Sequence, residues 1–479
     1  MARDVLTFRR RIEEVHDSGP LAVPAGPFPF LLESSLAWPG AGRFDFAGAD
    51  PFLTVAAWPD RIEIAEAGRV AIFHGADPLS ALEEALGRFR IEGDAALFPF
   101  AGGAVGFLSY DLAPVIEEVP LPPVDDLRWP LLHFAFYDRI DARDRETGRR
   151  VRIVLECPGG PPPRAAADDP TWPLPAGAPP ADSRSNFSRD DYLAAVVTIR
   201  EHIRRGDIYQ ANLSQRFSVP RFDDAETVYA RLRADAPAPF GAFLGYGDRA
   251  ILSASPERFL QVGPACPGEV ERRSRVETRP IKGTRPRGAD ASRDDALRRE
   301  LEASGKDRAE LAMIVDLERN DLGRVCEFGS VVVREARRIE SYPSVHHGAA
   351  VVDGRLRAGV GIAELLRATF PGGSITGAPK IRALQILAGL EPTRRGPYTG
   401  AIGWIGFDGA LDLAMAIRVA LLTPGRADVP AGGGIVWDSR PEDEYEETLV
   451  KAKALLDVLK APGIPKSEMR SLKQTESVR

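Results

Sequence analysis

A lysine held in a stiff turn is the first residue of this chain that could do chemistry: Lys282, in the run Arg279-Pro280-Ile281-Lys282-Gly283-Thr284. Pro280 fixes its own backbone and restricts Arg279, while Gly283 permits conformations closed to other residues. Burial, or the positive charge of Arg279 and Arg285, would lower the amine's pKa from about 10.4, and a neutral amine is a nucleophile. The same six residues also describe a basic surface turn.

Two acidic pairs offer a second kind of chemistry. Asp307 and Glu310 share a helical face at i, i+3, and so do Glu444 and Glu447, with Lys451 one turn further on. Brought together, the four carboxylates suit a hard dication such as Mg2+, which takes one or two carboxylates plus water and substrate oxygens. Separately they are solvated helix faces, with Glu447 and Lys451 an i, i+4 surface pair.

Residues 400–422 read as a hairpin turning at Asp408-Gly409. Along its second arm Leu411, Leu413, Met415, Ile417 and Val419 alternate with small residues and Arg418, leaving room for an anion to dock bidentately on the guanidinium. A structural salt bridge is the rival role for Arg418. Residues 372–380, GGSITGAPK, begin like a phosphate loop, but Ala378-Pro379 stands where Lys-Ser/Thr must follow, so nucleotide cradling is not expected. Pro379 can still open a helix through Leu387. Gly432-Gly433-Gly434 offers close backbone approach or a plain turn, and His346-His347 is the one histidine pair.

The elements that must position these groups follow from capping and periodicity. Ser188 with Asp191 resembles a capping box opening a helix over 189–205. Strand-like runs fall at 61–64 and 151–155, with a helical piece at 78–88. Strands and helices mix without a regular β-α-β rhythm, which predicts an α+β fold rather than a doubly wound sheet. Residues 158–188 hold nine prolines and divide an N-terminal lobe (1–157) from a catalytic region (189–459) as a linker or surface loop. A further loop is expected around Cys266-Pro267-Gly268, and residues 460–479 read as a polar, mobile tail.

Bulk properties exclude several classes. The 479 residues carry 62 basic and 69 acidic side chains, net −7, with no long single-sign run, so no footprint for nucleic acid or an anionic membrane is present. Cys157, Cys266 and Cys326 are too few and scattered for a disulfide framework or cysteine-rich metal site, and none lies in the Gly-x-Cys-x-Gly elbow of a glutaminase. MARDVLTFRRRIEEVH holds no apolar stretch for a signal peptide, and no apolar run of about 18 residues occurs, so a cytoplasmic protein is expected.

In order along the chain, GDIYQANLSQRF, SPERF, ETRPIKGT, KDRAELAMIVDLERNDLGRV, FPGGSITGAPK, GPYTGAIG, GGGIVWDS and EYEETLVKAKALL resemble the chorismate-utilising enzymes over about 189–459. That family includes component I of anthranilate and of aminodeoxychorismate synthase, and the isochorismate and salicylate synthases. FLLESS at 30–35, with RFDFAGADP after it, resembles more loosely the family's regulatory lobe, with Leu32, Glu33 and Ser34 at a regulatory pocket whose tryptophan site in the family can be inhibitory, structural or empty. The implied fold has two lobes, with large, mostly antiparallel sheets packed together and helices outside.

The resemblance also implies roles. Family members differ at the Pro-Ile-x-Gly-Thr turn, where anthranilate and salicylate synthases typically carry alanine and aminodeoxychorismate synthases lysine. Lys282 resembles the lysine proposed to add to ring carbon 2 of chorismate as the carbon 4 hydroxyl leaves, before ammonia attacks carbon 4. Gln210 stands where water-using members carry a lysine, which fits an ammonia user. Glu257 resembles the general acid. Glu310 and Glu447 resemble Mg2+ ligands, with Asp307 and Glu444 in support. Arg418 and Tyr398 resemble the enolpyruvyl carboxylate clamp, with Gly433 a backbone donor and Lys451 beside the substrate. His347 and Thr284 resemble residues near the ring and its hydroxyl. One departure stands out: His347 is followed by Gly348-Ala349-Ala350, where relatives usually have Leu-Val-Ser, and smaller residues there would loosen the loop holding His347. The expected activity is amination of chorismate to 4-amino-4-deoxychorismate, for 4-aminobenzoate and folate synthesis, using ammonia from a separate glutamine amidotransferase subunit. Anthranilate formation is the alternative, and a non-catalytic chorismate-binding subunit is a third.

Overall fold

The computed structural model describes residues 5–17, 19–35, 42–92, 98–157, 162–165, 172–263, 275–342 and 345–459. Two large sheets form its centre. One runs from edge to edge through Arg184–Ser185, Gln210–Pro220, Arg426–Ile435, Val419–Thr423, Arg249–Ser255, Phe240–Tyr246, Phe30–Glu33, Phe44–Gly48, Arg139–Asp144, Arg150–Glu156, Leu6–Glu14 and Phe89–Glu92. The other runs through Ile281–Pro286, Val345–Arg355, Arg275–Arg279, Arg258–Val262, Leu411–Met415, Ala401–Gly406, Gly103–Leu108, Leu132–Tyr137, Leu53–Ala57, Ile62–Glu66 and Arg69–Phe73. Among these ladders only Leu6–Glu14 with Phe89–Glu92 is parallel.

Phe30 and Phe46 from the first sheet share one buried cluster with Phe107 and Trp404 from the second, so the two sheets enclose a common core. Helices Arg189–Arg204, Ala225–Asp235, Lys380–Leu390 and Pro441–Val458 cover the first sheet, and Pro78–Gly87, Gly305–Gly323 and Ile362–Thr369 cover the second. The result is the expected α+β architecture. Central strands such as Leu53–Ala57 and Val419–Thr423 are buried at every position, as strands packed on both faces must be. Among the described residues no helix is long and apolar enough to cross a membrane.

Each sheet draws strands from both sides of residues 158–188. The first is joined where Phe30–Glu33 pairs with Phe240–Tyr246, the second where Gly103–Leu108 pairs with Ala401–Gly406. The proline-rich segment, where described, is fastened to the surface. Trp172 packs against Trp58, Trp129 and Tyr246 at ring separations of 6.0, 5.6 and 4.7 Å, Arg249 donates to the Pro173 carbonyl, and Arg164 pairs with Asp138 at 2.6 Å.

Local signals match their elements closely. Ser188 accepts from the Asp191 amide at 3.1 Å and opens Arg189–Arg204; Asp77 caps Pro78–Gly87. The run at 61–64 overlaps Ile62–Glu66, that at 151–155 lies in Arg150–Glu156, and Gly409 turns the hairpin with φ +83°. The helix expected from Pro379 to Leu387 is Lys380–Leu390.

Two expectations are corrected. The hairpin's second arm is two strands in different sheets: Leu411–Met415 pairs with Ala401–Gly406, and Val419–Thr423 with Arg249–Ser255. The chain changes sheet at Ala416-Ile417-Arg418, with Arg418 at φ +51°. The apolar alternation of the sequence runs through the break although both strands are buried at nearly every position, so it does not mark the change of sheet. His347 lies not in a loop but in strand Val345–Arg355, flanked by two ladders, so its small neighbours do not loosen it. The Cys266 loop and the tail at 460–479 lie outside the described residues.

Candidate active site

Lys282 is aimed by a β-bulge. Strand Ile281–Pro286 pairs Ile281 with Ala349 and Thr284 with His347, so Lys282 and Gly283 together oppose the single residue Gly348. A bulge of this kind kinks its strand and redirects a side chain. Gly283 takes φ +82°, and a Cβ there would stand 2.9 Å from Asp307 Cβ. On the facing strand, a Cβ at Gly348 would stand 2.7 Å from the Lys282 carbonyl oxygen. The family departure at Gly348 is therefore the surface on which the lysine bulge is seated.

The Lys282 ammonium donates to the Ser374 carbonyl at 2.9 Å. Burial pushes the amine's pKa down, while Glu257, Glu310 and Glu447 push it up, and Lys451 adds a smaller downward push. Burial is thus the acting one of the two causes expected from sequence, and the charges of Arg279 and Arg285 are taken up by carboxylates. Arg279 is held by Glu277 at 2.5 Å, and Arg285 by Glu300 and Asp307 at 2.7 and 3.2 Å.

Glu257 stands between strands Arg249–Ser255 and Arg258–Val262, 4% exposed. Its amide donates to Ser255 Oγ, and its Oε1 accepts from Ser374 Oγ at 2.5 Å. Burial raises its pKa to about 7, against the Ser374 hydrogen bond and the Lys282 charge. A carboxyl poised near neutrality can donate a proton.

The carboxylates come from two helices. Ser304 caps Gly305–Gly323, accepting from the Asp307 amide at 3.2 Å. Asp307 is occupied by Arg285, which makes it a positioning group on the first helical turn. Burial raises Glu310, and the like charges of Asp307 and Glu447 add to this against Lys282 and Lys306. On Pro441–Val458, Glu444 accepts from Ser439 Oγ at 2.5 Å, and burial raises it to about 7. Burial pushes Glu447 up as well, but Lys451 at 2.6 Å and Lys282 outweigh this and hold it below the usual range. Lys451 also donates to the Gly432 carbonyl at 2.8 Å, so the expected i, i+4 pair exists but leans on the glycine strand. A Cβ at Gly433 would stand 3.0 Å from Glu444 Oε2 and 3.7 Å from Glu447 Oε1. Among the described residues, no three His, Cys, Asp or Glu side chains stand close enough together to hold a metal as they are.

Arg418 has no carboxylate partner among the described residues, which removes the structural salt bridge as its role. Burial lowers its pKa with only Tyr342 opposing. A desolvated guanidinium without a counter-ion is an anion site. His347 is 2% exposed; its Nδ1 shares a 2.8 Å hydrogen bond with Thr284 Oγ1, and its buried Nε2 has no partner among the described residues. Burial and then the Arg418 charge lower it to about 3, so it is neutral at physiological pH. Gln210 is fully buried with neither amide atom bonded among the described residues, its Nε2 only 2.6 Å from where a Gly434 Cβ would be. Tyr398 is buried beside Thr399, which takes φ +59°, and burial raises the phenol.

Lys282, Glu257, Glu310, Glu447 and Lys451 thus feel one another's charges, Arg418 reaches His347, and Glu444 joins Glu447 over Gly433. Leu32 and Glu33 lie elsewhere. They line a cavity of about 430 Å³ between the sheets, with Phe44, Phe240, Arg258 and Trp404. Tyr229 and Arg233 hold Glu33 at 3.0 and 2.8 Å, and Asp45 accepts from the Ser34 amide. Sequence reasoning missed Ser374, which touches both Glu257 and Lys282. Its signal was Gly372-Gly373, two residues whose missing side chains mark a close approach.

The sequence profile of the chorismate binding enzymes matches residues 33–457. The chain is 38% identical over 443 residues to a Klebsiella aerogenes protein named aminodeoxychorismate synthase component 1, covering 91% of this chain and 94% of that one. It is 40% identical over 416 residues to a Haloarcula marismortui protein named anthranilate synthase component 1, covering 81% and 83%. Anthranilate synthase component I from Streptococcus pneumoniae superposes with a TM-score of 0.72 at 32% identity, over 88% of this chain and 93% of that one.

Proposed function

Because the chain belongs to the chorismate-binding enzymes, we propose that it aminates chorismate at ring carbon 4, as the synthase component of an aminodeoxychorismate synthase. One observation carries this reading: a half-buried lysine, aimed by a bulge and anchored to Ser374, beside an acid titrating near 7. The Lys282 amine bonds to ring carbon 2, the ring double bonds shift, and the carbon 4 hydroxyl takes the Glu257 proton and leaves as water. Ammonia then bonds to carbon 4 and Lys282 departs from carbon 2 as an amine. The pair can stand as ammonium with carboxylate or as amine with acid, and burial lowers the amine's pKa while it raises the acid's. Burial favours the second, neutral one, which is the reactive one.

Arg418 and Tyr398 clamp the enolpyruvyl carboxylate, Gly433 donates a backbone N–H, and Lys451 balances charge at the mouth. Neutral His347, fixed by Thr284, presents Nε2 to the ring. Gln210 offers its unbonded amide to incoming ammonia. Mg2+ would suit these carboxylates once they draw together around it, because Glu310 and Glu444 are hard oxygen donors raised by burial and by like charge, and glycine at 433 adds no side chain beside Glu444 and Glu447. Glu310 and Glu447 would hold it, with Asp307 and Glu444 in support, and it would neutralise the ring carboxylate. A glutamine amidotransferase subunit in the cytoplasm supplies ammonia, and Leu32, Glu33 and Ser34 flank a regulatory pocket for tryptophan.

Anthranilate synthesis remains a second reading, favoured by relatives of that name at similar identity. Mass spectrometry of the product from chorismate, Mg2+ and ammonium separates the two, since anthranilate has lost pyruvate and aminodeoxychorismate has not. Lys282→Ala should abolish aminodeoxychorismate formation; wild-type turnover in that variant would overturn the nucleophile.

A further inference from the structure

We propose that Ser374 is a positioning residue that seats the acid and the amine in mutual register, its hydroxyl on Glu257 and its carbonyl on Lys282. This rests on the roles given above to those two residues. Ser374 is 3% exposed, donates to Glu257 Oε1 at 2.5 Å and accepts from Lys282 Nζ at 2.9 Å. Glu257 stands between two strands and Lys282 on a third, and one residue 117 and 92 positions further along the chain touches both.

The turn carrying Ser374 is fixed from several sides. It is the short 3-10 turn Gly373–Ile375. A Cβ at Gly373 would stand 2.8 Å from Leu317 Cδ2 on the helix that bears Glu310. Thr376 Oγ1 donates to the Gly372 carbonyl at 3.0 Å, and Arg395 to the Ile375 carbonyl at 3.2 Å. Held this way, the serine has little freedom to follow its partners, so they follow it.

A hydroxyl both donates and accepts. It can therefore donate to the Glu257 carboxylate and accept from its protonated form. During the first half-reaction the carbon 4–oxygen bond breaks, the departing oxygen takes the Glu257 proton, and the Lys282 lone pair forms the bond to carbon 2. Negative charge develops on Glu257 as this proceeds, and the Ser374 hydroxyl is already placed to meet it. The carbonyl accepts an N–H from ammonium and amine alike, so the lysine keeps its reach after losing a proton. Ser374 itself exchanges no atoms or electrons.

The test is steady-state kinetics of the full chain with chorismate, Mg2+ and ammonium chloride, on Ser374→Ala, Ser374→Thr, Lys282→Ala and Glu257→Gln. Ser374→Ala keeps the carbonyl and loses the hydroxyl. Its kcat should fall roughly 10- to 100-fold, as expected for a lost hydrogen bond to a developing charge, with KM for chorismate unchanged within about twofold. Ser374→Thr restores the hydroxyl and should recover most of the loss. Wild-type kcat in Ser374→Ala, with Lys282→Ala and Glu257→Gln inactive, overturns the proposal and leaves the lysine mechanism standing. Equal losses in the Ala and Thr variants, with KM raised, mean packing rather than positioning and also overturn it. Full turnover in Lys282→Ala instead overturns the mechanism itself.

Discussion

Gly348→Ala is a one-carbon change aimed at the seat of the catalytic lysine. The added Cβ would lie 2.7 Å from the Lys282 carbonyl oxygen, where ordinary contact begins at about 3.4 Å. The obstruction is backbone, so it cannot swing aside as a flexible side chain would. Roughly 0.7 Å of movement has to be shared between strands Ile281–Pro286 and Val345–Arg355, and the shorter strand carries Lys282 with it. Misplacing a reacting group by about 1 Å can cost around 10²-fold in rate, so kcat should fall on the order of 10- to 100-fold. Overpacking should cost about 1–3 kcal/mol of stability, seen as a modest drop in Tm. The assay is chorismate consumption at saturating chorismate and ammonium, with calorimetry on the same samples. Gly354→Ala supplies the control. It lies on the same strand, meets Cys326 rather than the bulge, and should lower Tm while sparing kcat. Full turnover in a folded Gly348→Ala protein would refute the link between the glycine and the lysine.

Three further outcomes follow from the site. Burial raises Glu257 from its ordinary value to about 7, so its proton-donating form is lost as pH rises through 7; kcat/KM should decline about tenfold per unit above that point, and a flat profile to pH 9 would exclude Glu257 as the acid. Arg418→Ala should raise KM for chorismate about 10²-fold without lowering Tm, because no described carboxylate loses its partner; an unchanged KM would remove it from the clamp. Exhaustive chelation should abolish turnover, and restoring Mg2+ should recover activity and raise Tm by binding the folded state; full activity without the ion would exclude it.

What could be read from the sequence was what is encoded locally. The Ser188 cap, the helical piece from Pro78 and the Asp408-Gly409 turn depend on neighbours a few residues away, and each formed as expected. The i, i+3 carboxylate pairs were visible because helical periodicity puts them on one face. Their meeting with Lys282 depends on two helices converging on a strand, which no local pattern records. The crossing at Ala416-Ile417-Arg418 was hidden for a related reason, since alternation carries no mark of which sheet a strand joins. Of the two causes expected for a depressed lysine pKa, burial is the one found, while Arg279 and Arg285 have carboxylate partners that only the folded chain brings near. Gly348 looked like a weakening and is a contact surface.

The two sheets, each shared between the N-terminal and C-terminal halves of the chain, impose a schedule on synthesis. Leu32 pairs with Ala242, and Phe107 with Ile402, so each sheet closes over a very long interval of sequence. At a ribosomal rate of about 5–20 residues per second, the first 157 residues wait for many seconds with two open strand edges exposed. Such edges template aggregation until they are paired. The nascent N-terminal half is therefore a natural client for a chaperone holdase, and its expression as an isolated fragment should yield inclusion bodies.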